Sequence, residues 1–232
     1  MTMKKLLIIA LCVLMTSCAS HMPSDTSYDT DASGATHPTG SAEDMYKMGN
    51  HYAQGKGIQH DDKKAVEYYS EAARQGYAKA EYALGYMYRS GRGVTASYDT
   101  AAYWFTKAAE QGNADAQNSL GVRYLLGQGT AQDYNQAIYW FKKSANQGNP
   151  YAANELGYIY AAGKGVPQDY PTAMDWYKKA ADQNVASAQY NLGLMYAKGM
   201  GTIPNKAAAH ELFRRAAAQG FLPARRALTQ YG

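Results

Sequence analysis

Two histidines and two aspartates near residue 60 come closest to a metal-ligand set in this 232-residue chain. His51 and His60 precede Asp61 and Asp62, and imidazole and carboxylate groups are ligands of zinc sites. The histidines lack the i, i+4 spacing that places two ligands on one helix face, and no third strong ligand accompanies them. We therefore interpret His60 as a solvated side chain and Asp61 as a helix cap, and we expect no metal and no cofactor.

Gly91 and Gly93 follow an apolar run in the manner of a phosphate-binding loop. Such a loop follows a strand and carries a Lys-Ser/Thr pair after its glycines, and the sequence predicts neither feature here. The sequence motif around these glycines instead occurs five times at an interval of 36 residues. The first glycines of the five copies are Gly49, Gly85, Gly121, Gly157 and Gly193. A constant interval is the signature of a repeat architecture, so we interpret the glycine pair as the end of a helix.

The sequence contains no convincing catalytic constellation. There is no Gly-x-Ser-x-Gly motif, and the one Thr-x-x-Lys, Thr2 to Lys5, lies in an N-terminal segment that we expect to be removed. Both cysteines, Cys12 and Cys18, belong to the first 18 residues. The formal net charge of +4 is not gathered into a basic run, which disfavours nucleic-acid binding. We therefore expect neither an enzyme nor a nucleic-acid-binding protein.

Residues 78–112 illustrate how one repeat is built. Ala80, Leu84 and Tyr88 recur at i, i+4 and i+8, which predicts a first helix with an apolar face. Gly85 lies on that face, although a glycine inside a helix costs about 1 kcal/mol relative to alanine. We therefore expect a neighbouring helix to approach Gly85 closely.

A second helix is predicted after each glycine pair. Its N-terminus is marked by residues whose side-chain oxygens cap helices well, namely Asp61, Ser97, Asp133, Asp169 and Asn205. Its apolar stripe includes Trp104, Trp140 and Trp176, which we assign to the core. Four of these helices are followed by a glycine, and Asn184 takes that place in the fourth repeat because asparagine tolerates positive φ.

Over residues 42–220 the chain resembles the Sel-one-like repeats (SLR), which are relatives of tetratricopeptide repeats. The pattern is A-x-A-x-x-x-L-G-x-x-Y-x-x-G-x-G-V-x-x-D, followed by A-x-x-W-x-x-K-A-A-x-x-G. The resemblance implies an all-α fold, an α/α superhelical solenoid of five 36-residue repeats, with residues 221–232 as a C-terminal capping segment. It also implies an adaptor surface for a protein or peptide partner, usually without catalysis.

In tetratricopeptide-like arrays the binding surface is the inward, concave face of the first helices. Helical spacing from the core positions places eight tyrosines and asparagines on that face, in two rows that also contain Val122 and Leu194. These eight residues, here called the first-helix rows, are Tyr46, Asn50, Tyr82, Tyr86, Asn118, Asn154, Tyr158 and Tyr190. We predict that they contact the partner. The sequence leaves open the alternative that the tyrosines only pack between adjacent first helices.

Residues 1–17 have the features of a secretory signal peptide. Two lysines precede an apolar run, Leu6 to Met15, that is too short to span a bilayer stably. The stretch MTSC that ends at Cys18 resembles the lipobox of bacterial lipoproteins. The resemblance implies that Cys18 is lipidated and becomes the N-terminus. The alternative is an ordinary signal cleaved near Ser17 or Ala19.

Residues 18–41 are interpreted as the lipidated N-terminus and a flexible linker. After Cys18 the segment is rich in Ser, Thr, Asp, Gly and Pro, a composition that buries too little apolar surface to fold. Because alanine rather than aspartate follows Cys18, the sorting pattern of lipoproteins implies the outer membrane. We expect the repeats to face the periplasm.

The sequence therefore predicts a membrane-tethered, non-enzymatic scaffold of the bacterial cell envelope that binds a protein or peptide. Two alternatives stay open. One is a peptidoglycan- or glycan-binding module, in which tyrosines would stack on sugars, and the other is a surface-exposed protein that contacts host proteins. Some cysteine-rich relatives have been associated with penicillin binding and β-lactamase activity, but this chain lacks the paired cysteines of those repeats.

Overall fold

The computed structural model describes residues 41–231, and the regular elements in this range are helices. Their bounds are α1 Ala42–Gln54, α2 Asp62–Arg74, α3 Ala78–Ser90, α4 Tyr98–Glu110, α5 Ala114–Leu126, α6 Tyr134–Asn146, α7 Pro150–Ala162, α8 Tyr170–Asp182, α9 Ala186–Lys198, α10 Lys206–Ala218 and α11 Leu222–Tyr231. Within 41–231, no helix has the length and apolar character needed to cross a bilayer. The predicted signal peptide, Cys18 and residues 18–40 of the linker lie outside the described residues.

The described residues form two compact units. Residues 41–132 carry α1 to α5, and residues 133–231 carry α6 to α11. Within each unit, every helix packs against the next helix along the chain. The odd-numbered helices α1 to α9 are the first helices of the repeats, and the even-numbered helices are the second helices. The predicted capping segment forms α11, which packs on α10.

The helix ends follow the predicted capping chemistry. The Asp61 carboxylate accepts hydrogen bonds from the backbone N–H groups of Lys63 and Lys64, at 3.0 and 3.1 Å. All five predicted caps accept from a backbone N–H in the first turn of their helix. Asn184 has φ 62°, as predicted for the residue that replaces glycine after α8. Polar caps and left-handed residues therefore set both ends of the second helices.

The two glycines of the recurring pair have different roles. Gly91 ends α3 with φ 68° and donates its N–H to the Met87 carbonyl, as predicted. Gly93 also has positive φ, but a Cβ at Gly93 would collide with the backbone carbonyl of Asp62, at the start of the preceding second helix. The interpretation of both glycines as helix-ending residues is therefore incomplete. The second glycine lets the loop lie against the preceding repeat.

The predicted close approach at the mid-helix glycines is confirmed. A Cβ on Gly85 would lie 2.6 Å from Cδ1 of Phe105, and a Cβ on Gly157 would lie 2.6 Å from Cδ1 of Tyr177. In both cases the aromatic ring belongs to the second helix of the same repeat. The missing Cβ therefore lets the two helices of a repeat come together around a buried ring.

Two of the three tryptophans are less buried than predicted. Trp140 is 9% exposed, whereas Trp104 and Trp176 are only partly buried. The Lys179 ammonium lies 4.1 Å from the centroid of the Trp176 ring, so part of the indole surface is covered by a lysine rather than by the core. The assignment to the core is confirmed for Trp140, whereas Trp104 and Trp176 pack against the core from its edge. The aromatic residue that follows each tryptophan is fully buried or nearly so, namely Phe105, Phe141 and Tyr177.

Candidate binding surface

The first-helix rows are mostly buried within the described residues. Exposure is 3% for Tyr46, 4% for Asn50, 5% for Asn118, 7% for Asn154 and 9% for Tyr190. The other members, Tyr82, Tyr86 and Tyr158, are partly buried. The rows therefore combine buried amides with tyrosine rings that present part of their surface. Contact of these residues with a partner stays a prediction.

Tyrosines at the two ends of the rows pack against other aromatic rings. The Tyr46 ring centroid lies 5.9 Å from that of Tyr69 and 5.4 Å from that of Tyr77. The Tyr190 ring lies 5.9 Å from Phe213. For Tyr46 and Tyr190 the structure therefore favours the alternative of a packing role.

In the unit of residues 41–132, the row amides keep unused hydrogen-bonding capacity. The Tyr69 hydroxyl donates to Asn50 Oδ1 at 2.8 Å, whereas Asn50 Nδ2 is buried with no hydrogen-bond partner among the described residues. Asn118 Oδ1 is also buried and has no hydrogen-bond partner among the described residues. A buried polar atom without a partner costs about 1–3 kcal/mol. These two amides therefore offer a donor and an acceptor to a ligand that can reach them.

Two partly buried tyrosines of α3 occupy row positions equivalent to those of these amides, with Tyr86 one repeat after Asn50 and Tyr82 one repeat before Asn118. The Tyr82 ring packs 5.8 Å from the ring of Phe105, and the Arg89 guanidinium lies 4.8 Å from the centroid of the Tyr86 ring. One side of each ring is thus supported by the protein. A supported aromatic ring provides contact area with little loss of side-chain entropy on binding.

In the unit of residues 133–231, the amide of the row meets a buried acid. Asn154 Nδ2 donates to Glu155 Oε1 at 3.0 Å, and Glu155 is 2% exposed. Burial raises the pKa of the Glu155 carboxyl to about 8, and the hydrogen bond from Asn154 opposes this increase. Asn154 Oδ1 and Glu155 Oε2 are both buried without a hydrogen-bond partner among the described residues. The site therefore presents the Asn154 acceptor beside a carboxyl oxygen that becomes a second acceptor when Glu155 is ionised.

The Glu155 carboxyl raises the pKa of two tyrosines. Burial, followed by Glu155 and Tyr134, raises the pKa of Tyr158 on the same helix. Burial, followed by Glu155 and Tyr158, raises the pKa of Tyr177 on α8 well above its ordinary value. Tyr158 is partly exposed, so its ring connects the surface of α7 to the buried acid. Sequence reasoning included Asn154 and Tyr158 but missed Glu155.

The acidic and imidazole groups near residue 60 have partners within the protein. The Asp62 carboxylate receives the Arg92 guanidinium at 2.6 Å, and His60 Nε2 lies 3.2 Å from Asp62 Oδ1. His51 Nδ1 lies 3.2 Å from the Lys56 carbonyl oxygen. Across residues 41–231, no three His, Cys, Asp or Glu side chains come together in a group suited to hold a metal ion.

Two exposed tyrosines of the second helices were not predicted as site residues. Tyr103 is 54% exposed and Tyr139 is 48% exposed. The Lys107 ammonium lies 5.4 Å from the Tyr103 ring centroid, and the Lys143 ammonium lies 4.9 Å from that of Tyr139. The signal for this pairing is a tyrosine and a lysine at i and i+4. A lysine already lies over each ring. A sugar could stack on the covered side of the ring only if the lysine moved away.

A glutamine at the end of the second helix joins the two helices of a repeat. Gln111 Nε2 donates to Glu81 Oε2 at 2.6 Å, and Gln219 Nε2 donates to Gln189 Oε1 at 2.8 Å. In both pairs the partners are 30 residues apart and belong to the same repeat. Sequence reasoning missed these bonds, which hold the first helix in place behind the first-helix rows.

Comparison with known proteins identifies the repeats. The family model described as Sel1 repeat matches residues 42–77, 78–113, 114–149, 150–185 and 186–221. No curated protein matches the chain.

Solved structures agree with this match. A Sel1 repeat protein from Oxalobacter formigenes is 31% identical with a TM-score of 0.78, and the alignment covers 81% of this chain and 74% of that one. A protective antigen present in uropathogenic Escherichia coli strains, which displays an SLR fold, is 36% identical with a TM-score of 0.76. The alignment covers 81% of this chain, which spans only 40% of the length of the antigen. The chain therefore belongs to the Sel1 repeat family, with the all-α solenoid fold of five repeats followed by a C-terminal helix.

Proposed function

We propose that this Sel1 repeat protein is a non-enzymatic scaffold that binds a protein or peptide through its first-helix rows. The observation that carries the proposal is a set of buried amide atoms that have no hydrogen-bond partner within residues 41–231, namely Asn50 Nδ2, Asn118 Oδ1 and Asn154 Oδ1. More than nine-tenths of buried polar groups in proteins have a partner. A peptide backbone carries both donors and acceptors, and an asparagine side chain can serve either kind.

The partly buried tyrosines support the same proposal. Tyr82, Tyr86 and Tyr158 present part of each ring, and aromatic side chains often dominate the binding free energy of protein interfaces. Within each unit, the asparagines hold the ligand backbone that reaches them. The tyrosines contact its apolar side chains.

We further propose that Cys18 anchors the protein to the outer membrane by a lipid, with the repeats facing the periplasm. The support is the short apolar run before Cys18 and the polar composition of residues 19–41. The repeats need no membrane segment of their own under this proposal. Their role is to hold a partner close to the membrane without catalysing a reaction.

The direct test is a screen of the full chain against a bead-displayed library of random twelve-residue peptides. We expect enrichment of related sequences, and we expect Asn118→Ala to lose them while Asn135→Ala keeps them. Asn135 is an exposed asparagine on α6 and serves as the matched control. The proposal fails if no sequence is enriched, or if both variants bind the enriched peptides as well as the native chain.

The similarity to a protective antigen favours exposure at the outer cell surface as a second candidate for the location of the repeats. That antigen is 36% identical to this chain over an alignment that covers 81% of this chain and 40% of the antigen. Protease treatment of intact cells distinguishes the two locations. Repeats that face the periplasm survive the treatment, and repeats on the outer surface are cleaved.

A further inference from the structure

The buried pair Asn154 and Glu155 differs from the other polar groups of the first-helix rows because both unused atoms are oxygens, and both are acceptors once Glu155 is ionised. Asn154 Nδ2 is already engaged by Glu155 Oε1 at 3.0 Å. The unused atoms are Asn154 Oδ1 and Glu155 Oε2, on adjacent residues of α7. A peptide N–H could satisfy one of them. Two acceptors on adjacent residues, one of them a carboxylate when Glu155 is ionised, fit a ligand group that carries several donors.

Among residues 41–231, no positive charge acts on the Glu155 carboxyl strongly enough to shift its pKa. The pKa of Glu155 is governed by burial, which raises it, and by the Asn154 hydrogen bond, which lowers it. Glu155 shifts the pKa of Tyr158 on α7 and of Tyr177 on α8, and both of these phenols are acids. From α6, Tyr134 acts on Tyr158, and α9 carries the neutral Asn191 one repeat after Glu155. An ionised Glu155 therefore lacks a counter-charge among these neighbours.

The Tyr158 side chain gives a route from the surface to this pair. Its ring is partly exposed, and its hydroxyl lies near enough to Glu155 for the carboxylate to raise its pKa. A cation that passes along a tyrosine ring gains a cation–π attraction on the way. The guanidinium of arginine is planar, carries five donors and can bind a carboxylate with two parallel hydrogen bonds.

We propose that Glu155 and Asn154 form a specificity pocket for a basic side chain, arginine or lysine, of the peptide bound to the first-helix rows. The proposal rests on the function proposed above and adds the chemical class that one position of the ligand must have. Glu155 Oε2 and Asn154 Oδ1 accept the hydrogen bonds of the cation, and Tyr158 covers its stem.

The pocket makes binding depend on pH in a defined direction. Free Glu155, with a pKa of about 8, is largely protonated at neutral pH. A bound cation stabilises the ionised form, so the carboxyl releases its proton to the solvent on binding. Affinity for an arginine peptide therefore rises as the pH increases from 6 to 9, because the guanidinium stays charged throughout.

The pocket is tested on the full chain with two matched probes, acetylated and amidated alanine–arginine–alanine and the same tripeptide with citrulline. Citrulline has nearly the shape of arginine but no charge. The side-chain carboxyl carbon of Glu155 is followed by NMR during a pH titration. We expect saturating arginine tripeptide to lower the pKa of Glu155 by at least about one unit, which corresponds to a tenfold preference for the ionised form. Equal titration curves with the two tripeptides would overturn the proposal.

Peptide binding provides the second arm. For any library peptide with a basic residue, replacing that residue by citrulline or acetyl-lysine should weaken binding by at least about tenfold, since a hydrogen bond to a charged group contributes roughly that factor. Glu155→Gln should remove this preference and its pH dependence. Glu211→Gln, a change at an exposed glutamate of α10, should preserve both.

Library binding without a preference for basic residues leaves the proposed function intact and refutes the pocket. An empty screen refutes the proposed function, and the NMR titration still decides the pocket.

Discussion

Gly157 shows how a single missing Cβ determines the packing of a repeat. An alanine there would gain about 1 kcal/mol in helix propensity, but its Cβ would lie 2.6 Å from the Tyr177 ring. Because Tyr177 is 4% exposed, the ring has little room to move, and overpacking of a core costs about 1–3 kcal/mol. We therefore expect Gly157→Ala to lower the free energy of unfolding by about 1 kcal/mol, the difference between these two effects, as measured by urea denaturation.

Thr229 provides the matched control for Gly157. It occupies the equivalent position on α11, two repeats later, and is exposed. Thr229→Ala should leave the free energy of unfolding unchanged or slightly raise it, since alanine is the better helix former. If the two substitutions have equal effects, the glycine–aromatic contact is not the reason for Gly157.

Glu155 gives the folded chain a pH dependence that one substitution can isolate. Burial raises the pKa of this carboxyl from 4.5 to about 8, so the folded state holds a proton that the unfolded state has lost. Its contribution to stability is therefore complete below pH 4.5 and decreases as the pH rises to about 8. Glutamine keeps the shape without titrating. We expect Glu155→Gln to become more stable relative to the native chain between pH 5 and pH 8.

The expected change in the stability difference exceeds about 1 kcal/mol, since one pKa unit corresponds to roughly 1.4 kcal/mol. Thermal and urea denaturation at several pH values would measure it. A difference that stays constant from pH 5 to pH 8 would show that Glu155 is ionised in the folded state.

The residues that sequence reasoning identified are those that repeat. Gly85 and Gly157 could be predicted because glycine recurs every 36 residues inside a helix. Glu155 could not, because the equivalent positions of the other repeats share no chemistry, being Lys47, Ala83, Ser119 and Asn191. Periodicity identifies what all repeats need for the fold, and a side chain unique to one repeat carries no such signal.

Helix caps set the boundaries of the elements and can be tested one at a time. Ser97 Oγ accepts from the Thr100 N–H at 3.2 Å at the start of α4. Loss of such a cap costs about 1 kcal/mol, within a range of 0.5–2 kcal/mol. We expect Ser97→Ala to lower the free energy of unfolding by this amount and Ser97→Asp to retain stability. Equal losses in both variants would mean that the hydroxyl contributes through another contact.

The pairing of helices within a repeat was predictable, but the bonds that hold it were not. The apolar stripes and caps predict two helices in each repeat. The hydrogen bond from Gln111 to Glu81 joins residues 30 positions apart, and helical periodicity gives no information on contacts at that separation. The burial of Asn50 and Asn118 could not be predicted for the same reason. It depends on how neighbouring helices cover the first-helix rows.

The proposed membrane location of the whole molecule depends on Cys18, which lies outside the described residues. We expect Cys18→Ser to abolish acylation, because the serine hydroxyl is not a substrate for lipid attachment at a lipobox. The protein should then move from the membrane fraction to the soluble periplasmic fraction. Metabolic labelling with a palmitate analogue, followed by cell fractionation, measures both effects. Unchanged labelling and fractionation would exclude the lipid anchor at this cysteine.

The central claim is that the asparagines of the first-helix rows bind a ligand rather than only pack. The most direct measurement is the Kd of a library peptide for the native chain, for the double variant Asn118→Ala with Asn154→Ala, and for the control Asn135→Ala. Fluorescence anisotropy gives the Kd, and circular dichroism gives the helicity and Tm of the same samples. We predict a Kd at least about tenfold weaker for the double variant, with helicity retained, since each buried amide contributes hydrogen bonds of roughly 1 kcal/mol. A lower Tm with an unchanged Kd would contradict the account and assign these asparagines to packing.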